Sequence, residues 1–272
     1  MSLDLVVDRL RCPVCAGALA VESAAVRCAS GHSFDIARDG YVTLLGGGGT
    51  KVFGDTPAML AARADFLAAG HYQPIADAVS HAMSDATSIL EIGAGTGYYL
   101  GQALDAQPSA VGLGFDVSKA SARRIARAHT RAAAVVADAW RDWPFADDAF
   151  SHVMSVFAPR NAAEIARVLA SGGAYVVVTP QSDHLVELLD RVRVDQDKAQ
   201  RLAQTLEGRF VLESAEDVRF VAEMTAAEAG QAVAMGPSGH HLDVSALRAL
   251  VSSLPEMMHV TVAVNVGTYR AV

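Results

Sequence analysis

The 272-residue sequence contains only three cysteines, Cys12, Cys15 and Cys28, all near its amino terminus. An odd number, clustered in this way, excludes a self-contained disulfide framework and leaves metal ligation as the better explanation. Long apolar runs are also missing. Stretches such as Ala174 to Val178 fall far short of the roughly 20 residues needed to span a bilayer. No charged start followed by an apolar run opens the chain, so a soluble, cytoplasmic protein with no membrane partner is expected. Positive charge is scarce: 22 Lys and Arg against 30 Asp and Glu give a formal net charge of −8. That balance excludes a general electrostatic pull toward nucleic acid, and any polyanion site must be a local patch. Charged residues make up only 19% of the chain and hydrophobic residues 51%. This excludes disorder and provides for a sizeable core. The length suits one large domain with a small appendage.

The cysteines fall into a pattern, Cys12-x2-Cys15-x12-Cys28-x3-His32. Zinc favours four thiolate and imidazole ligands in a tetrahedron, and two ligands on a two-residue spacer preset half of it. Ala18 to Arg27 alternates as a short hairpin that brings the two knuckles together, as in a zinc ribbon. So short a segment has too little core to stand alone, and the metal provides much of its folding free energy. Four protein ligands leave no open position, which makes the zinc structural and places catalysis elsewhere. The module is expected over residues 1–45. Four glycines, Gly46 to Gly49, then suggest a hinge. A helical linker over 46–84 follows, with Pro57 opening a helix through Phe66 and Pro74 a second through Met83. The turn Gly70-His71-Tyr72 between them places an aromatic ring near the last domain, 85–272.

From Ser88 short apolar runs alternate with helix-length segments, the signature of a parallel sheet covered on both faces. The first strand, Ser88 to Ile92, runs into Glu91-Ile92-Gly93-Ala94-Gly95-Thr96-Gly97. Its glycines permit a tight turn and close approach to a ligand at a helix start. The spacing GxGxG differs from the dinucleotide fingerprint GxGxxG. A second strand, Ala110 to Phe115, ends in Asp116, which suits either two ribose hydroxyls or a helix N-cap. A third, Ala133 to Ala137, ends in Asp138, placed to accept from an adenine amino group. The fourth, Ser151 to Phe157, leads into Ala158-Pro159-Arg160-Asn161, and the fifth, Gly173 to Thr179, into Pro180-Gln181. Every candidate polar group sits at the C-terminal end of a strand, where open α/β sheets bind ligands.

This series resembles the class I S-adenosylmethionine methyltransferases. The resemblance implies a Rossmann-like α/β fold with a seven-stranded sheet, whose antiparallel last strand is His259 to Arg270 at the sheet edge. Over nearly the whole chain the combination goes further. The zinc module, FDIARDGYVTLL (34–45), AARADFLAAGHYQP (61–74), VFAPRN (156–161), VTPQSDHL (178–185) and AMGPS (234–238) together resemble the 23S rRNA guanine-N1 methyltransferases, most closely their tylosin-resistance branch. The resemblance implies S-adenosyl-L-methionine as donor, bound by Tyr72, Glu91, Gly93, Gly95, Thr96, Gly97, Asp116, Asp138 and His184. It also implies a structural zinc ion, an RNA hairpin as substrate, a homodimer and macrolide resistance. A guanine N1 must lose a proton as it is methylated. Asp183, Arg160 and Asn161 are candidates for that part of the site by position only, each with a structural reading beside it, and no general base is assigned. Lys119, Arg123, Arg127 and Arg131 recur every four residues, as a phosphate track or as a plain solvated face. Trp140 and Trp143 are expected either to stack a base or to fill the core. The competing readings are a small-molecule methyltransferase with a zinc-stabilised lid, and a non-catalytic cofactor-binding module associated with the ribosome.

Overall fold

The computed structural model describes residues 2–47, 50, 52, 54–188, 202 and 204–272. The amino-terminal segment opens with two short 3₁₀ turns, Ser2–Leu5 and Val7–Arg9, and then builds a three-stranded antiparallel sheet. Its strands are β1 (Leu19–Glu22), β2 (Ala25–Cys28) and β3 (Ser33–Asp35), with Leu19 opposite Cys28 and Val26 opposite Phe34. The expected hairpin is therefore present. A fourth strand, β4 (Val42–Thr43), leaves this small sheet and pairs in parallel with the large one.

Helices α1 (Pro57–Ala68) and α2 (Gln73–Ala82) follow, each with proline in its first turn. Thr56 caps α1, its hydroxyl accepting from Met59 N at 3.2 Å. Such capping satisfies one of the four amides left open at a helix start. Of the expected glycine hinge, Gly48 and Gly49 lie outside the described residues.

The large sheet contains β5 (Ser88–Ile92), β6 (Val111–Asp116), β7 (Ala132–Val136), β8 (Phe150–Val156), β9 (Leu169–Pro180), β10 (Phe210–Thr225) and β11 (Met257–Ala271). Its order is β10-β11-β9-β8-β5-β6-β7-β4. Every pairing from β9 to β4 is parallel, while β11 runs antiparallel to both β9 and β10. The seven expected strands are joined by β4 as an eighth. The last strand is antiparallel, as expected, but it does not lie at the edge. The long strand β10 takes that place, because alternate residues Val218, Ala222 and Met224 bury one of its faces while Arg219, Val221 and Glu223 face out.

Both faces of the sheet are covered, and the strand residues alternate between two cores. Ile89, Met154, Val176 and Val178 face a core with Phe66, Ile75, Leu100, Ile125 and Val233. These come from α1, α2, α3 (Tyr98–Ala106), α4 (Lys119–Ala128) and α6 (Ala226–Ala234). Leu90, Ile92, Phe115, Val153 and Val177 face the opposite core, with Ile165 and Val168 of α5 (Ala162–Val168) and the aromatic rings of Trp143, Phe145 and Phe150. Leu3, Val6, Leu10, Cys12, Leu19 and Val26 belong to this second core. The amino-terminal segment thus serves as a cover for the sheet in the position that a helix commonly occupies, and an isolated bridge from Leu10 to Phe145 fastens it there. Among the described residues no helix is long and apolar enough to cross a membrane.

Candidate active site and metal centre

The four predicted metal ligands meet. Sγ of Cys12, Cys15 and Cys28 and a ring nitrogen of His32 all lie within 4.8 Å of one another. Zinc bonds of about 2.3 Å to sulfur and about 2.0 Å to nitrogen put tetrahedral neighbours about 3.8 Å apart for two sulfurs and about 3.5 Å apart for sulfur and nitrogen. The structure gives 3.7 Å for Cys15 to Cys28, and 3.5 and 3.3 Å from His32 Nδ1 to Cys12 and Cys28. The backbone N–H of Gly17 stabilises the Cys15 thiolate and pulls its pKa down to about 6. The donor set is complete, closed and of the right size for zinc, so the ion is structural.

The second site is a cavity of about 630 Å³ at the C-terminal ends of β5 to β9, a size typical of small-molecule sites. Tyr72, Glu91, Gly93, Thr96, Asp116, Asp138 and His184 line it. Glu91 is buried, with Oε2 accepting from Leu100 N at 3.2 Å, and burial pushes its pKa up to about 8. Gly95 and Gly97 are not among the lining residues and serve the loop in other ways. At φ +55°, Gly95 leaves room for the Arg63 guanidinium, since a Cβ there would lie 2.7 Å from it. At φ +75°, Gly97 lets α3 start against α4, where a Cβ would lie 2.8 Å from that of Ala128. Gly95 N in turn donates to Asp116 Oδ2 at 3.1 Å, and Ser118 N to Oδ1 at 2.8 Å. The cap of α4 is Ser118, so Asp116 does not fill the helix-cap role that the sequence also allowed. Burial raises the pKa of the Asp116 carboxyl. Asp138 accepts from the Thr50 hydroxyl at 2.7 Å and from Trp140 N at 3.0 Å.

Tyr72 and His184, far apart in sequence, meet on the opposite wall. Tyr72 Oη lies 3.1 Å from His184 Nε2, while His184 Nδ1 accepts from Ala263 N at 3.2 Å. Because Nδ1 accepts, the neutral ring carries its proton on Nε2 and donates it to the tyrosine oxygen. The imidazole stacks on Phe157 at 5.8 Å, which fixes its plane.

The remaining candidates lie elsewhere. None of Asp183, Arg160 and Asn161 lines the cavity, although Ala158 and Pro159 do. Asp183 pairs with Arg219 on β10, which holds its carboxyl below the usual range. Asn161 caps α5, accepting from Glu164 N at 3.4 Å. The charge of Arg160 acts on Tyr175 and Tyr269, residues associated with the other face of the sheet. The basic track breaks up as well. Arg123 and Arg127 pair with Asp39, and Arg131 lies beyond α4, where it donates to the carbonyls of Leu104 and Gln107 at the end of α3 and of Ala110 just before β6. Trp143 is a core residue, 4% exposed and packed edge-on against Phe115 and Phe145. Trp140, 59% exposed, stands on the cavity wall. Sequence reasoning missed Asp55 and Arg63, Tyr99 beneath the glycine loop, and Met235, Gly236, Pro237 and His240, which close one side. Arg63 lay within a motif already singled out. Met235, Gly236 and Pro237 likewise fell within AMGPS (234–238), but nothing local gave that motif a place in the site, because only the return of the chain past α1 brings it to the cavity.

Known proteins share both parts. Residues 10–46 match the zinc-ribbon family described as RlmA, N-terminal, and residues 89–173 match a methyltransferase domain family. A Micromonospora griseorubida protein, provisionally named a 23S rRNA (guanine-N(1)-)-methyltransferase, is 44% identical over 98% of this chain and 98% of its own length. The Streptomyces fradiae 23S rRNA (guanine(748)-N(1))-methyltransferase is 42% identical over 97% of this chain and 98% of its own. In fold, a chain of the solved complex between the Haloferax volcanii Trm112 methyltransferase activator and a provisionally named methyltransferase superposes with TM-score 0.52 at 19% identity, covering 81% of this chain and 99% of that one. The cavity, with acids at the ends of β6 and β7 and a glycine turn after β5, suits S-adenosylmethionine, the cofactor of this fold. The chain belongs to the family of 23S rRNA (guanine-N(1)-)-methyltransferases.

Proposed function

We propose that this protein methylates N1 of a guanine in a hairpin of 23S rRNA, acting in the cytoplasm as a homodimer and protecting the ribosome against tylosin-type macrolides. The observation that carries the reading is the 42% identity, over 97% of the chain, to a Streptomyces fradiae enzyme whose name specifies that reaction. The site supports it with a walled cavity for the donor and a metal-knotted module beside it.

When bound, S-adenosylmethionine supplies an electrophilic methyl group on its sulfonium. Asp116 would accept from the ribose hydroxyls and Asp138 from the adenine amino group of the bound donor. Tyr72 and His184, held to each other and to Ala263, form a wall that would orient the rest of the donor. A guanine N1 is hidden inside a base pair, so the acceptor must be unpaired or turned out of its stack before it can reach the methyl group. Exposed Trp140 at the cavity wall offers an aromatic face to such a base.

The test is transfer of labelled methyl from S-adenosylmethionine to unmodified 23S rRNA, with primer extension to locate the product. Extension should stop at a single guanine, at the position named for the S. fradiae relative, because N1-methylguanine cannot pair. Label appearing in small molecules and in no RNA would reject the proposal in favour of a small-molecule methyltransferase.

A further inference from the structure

We infer that Arg63 is the receptor for the α-carboxylate of the methyl donor. The inference rests on the assignment of Asp116 to the ribose and Asp138 to the adenine. Along the sheet, β7, β6 and β5 are neighbours in that order. A donor with adenine at Asp138 and ribose at Asp116 therefore carries its methionine end to the loop after β5. There the guanidinium of Arg63 lies directly over Gly95.

Electrostatics separates the three charges of that methionine end. The cavity wall carries Asp55, Asp116 and Asp138 besides the buried, protonated Glu91, and among the described lining residues Arg63 is the one Arg or Lys. The sulfonium and the α-ammonium suit such a wall. The α-carboxylate does not, and it needs the cation. Arg63 has the capacity: of its five N–H donors, the described contacts use Nη1 toward Asp55 Oδ2 at 2.5 Å and Nη2 toward Met235 O at 2.6 Å. Its side chain is 27% exposed, which leaves the planar group reachable from the cavity. The same charge reaches Glu91 and Asp116, in each case favouring the ionised carboxylate. Asp55 therefore holds the guanidinium in place and competes with the donor for it.

The experiment compares two ligands by calorimetric titration of the full, zinc-loaded protein: S-adenosylmethionine, and its decarboxylated analogue, which lacks only the carboxylate. The wild type should prefer the carboxylated ligand by about ten- to a hundredfold, the range of a charge-assisted hydrogen-bonded contact. Arg63→Gln should abolish that preference by weakening S-adenosylmethionine alone, with the analogue changed less than about threefold. Arg63→Lys should retain part of it, since it keeps the charge and loses the fork. Asp55→Asn removes the competing charge while Arg63 keeps its contact with Met235 O, and should raise the preference for S-adenosylmethionine over the analogue. A preference that survives in Arg63→Gln, or an equal loss of both ligands in that variant, overturns the inference. So does an Asp55→Asn protein whose preference for the carboxylated ligand does not rise. Wild-type protein that binds neither ligand would instead overturn the donor assignment itself.

Discussion

Glu91 sits 2% exposed beneath the glycine loop, with a backbone amide as its one described hydrogen-bond partner and its pKa pushed up to about 8 by burial. In the unfolded chain the same carboxyl titrates near 4.5. Between those two values the folded protein holds a proton that the unfolded chain has released, so stability falls as pH rises. The contribution is fully present below about 4.5 and gone above about 8, and by linkage it amounts to at most ~5 kcal/mol. That is a large share of the 5–15 kcal/mol typical of a folded domain. Glu91→Gln keeps an oxygen for Leu100 N and removes the titration. In urea unfolding from pH 5 to 9, the variant should approach the wild type at the acid end and exceed it by several kcal/mol at the alkaline end. Donor binding gives a second readout, because a cationic ligand favours the ionised carboxylate. Titration at pH 7 in two buffers of different ionisation enthalpy should show proton release in the wild type and less in the variant. Parallel stability profiles for the two proteins across that pH range would refute this account of Glu91.

Three further perturbations follow from the same geometry. Asp116→Ala should raise the donor dissociation constant about ten- to a hundredfold by calorimetry, the range expected for loss of a charged hydrogen-bond acceptor, and unchanged affinity would remove the ribose assignment. Gly97→Ala forces a Cβ into left-handed backbone and against Ala128 and Ile125, so a loss of ~2–4 kcal/mol in urea unfolding is expected; an unaltered midpoint would contradict the packing described. Zinc removal by a chelator, or Cys12→Ser, should lower the melting temperature of the whole chain in a single transition, because Cys12 shares a core with Phe115 and Phe145. Two separate transitions would mean that the module is a detachable arm.

The strands from Ser88 to Thr179 were legible because each is a short apolar run closed by a polar residue, and the metal knot because its spacing alone selects the ligands. Tyr72 and His184 entered through resemblance, each as a cofactor contact, and their meeting was not legible, since no local pattern links residues so far apart. The β10 strand carries an alternation, Val218, Phe220, Ala222 and Met224, but the charges between these residues hide it, and its place outside β11 depends on a reversal of the chain that no window of sequence contains. Of Lys119 to Arg131, Arg123 and Arg127 do lie on an exposed face, but Arg131 does not, for a related reason. A four-residue period assumes that the helix continues, yet α4 ends at Ala128 and Arg131 turns to the carbonyls at the end of α3. The distinction between Trp140 and Trp143 is likewise tertiary, set by which ring faces Phe115.

The placement of β4 changes how the two parts of the molecule must work together. Val42 and Thr43 lie in register with Val135 and Val136, and Leu44 N donates to Val136 O at 3.0 Å, just before Asp138. The metal knuckle then borders a groove of about 960 Å³ whose wall includes Cys12, Cys15, Asp138, Arg141 and Trp143. Asp138 lines this groove and the donor cavity alike. Its two oxygens are held by Thr50, from the chain leaving the module, and by Trp140 N, from the chain leaving β7. A shift of the module relative to the sheet would therefore move Asp138, the acceptor proposed for the adenine side of the donor site. Any coupling between the two sites would be reciprocal, and the residue they share is an aspartate whose partners come from both units.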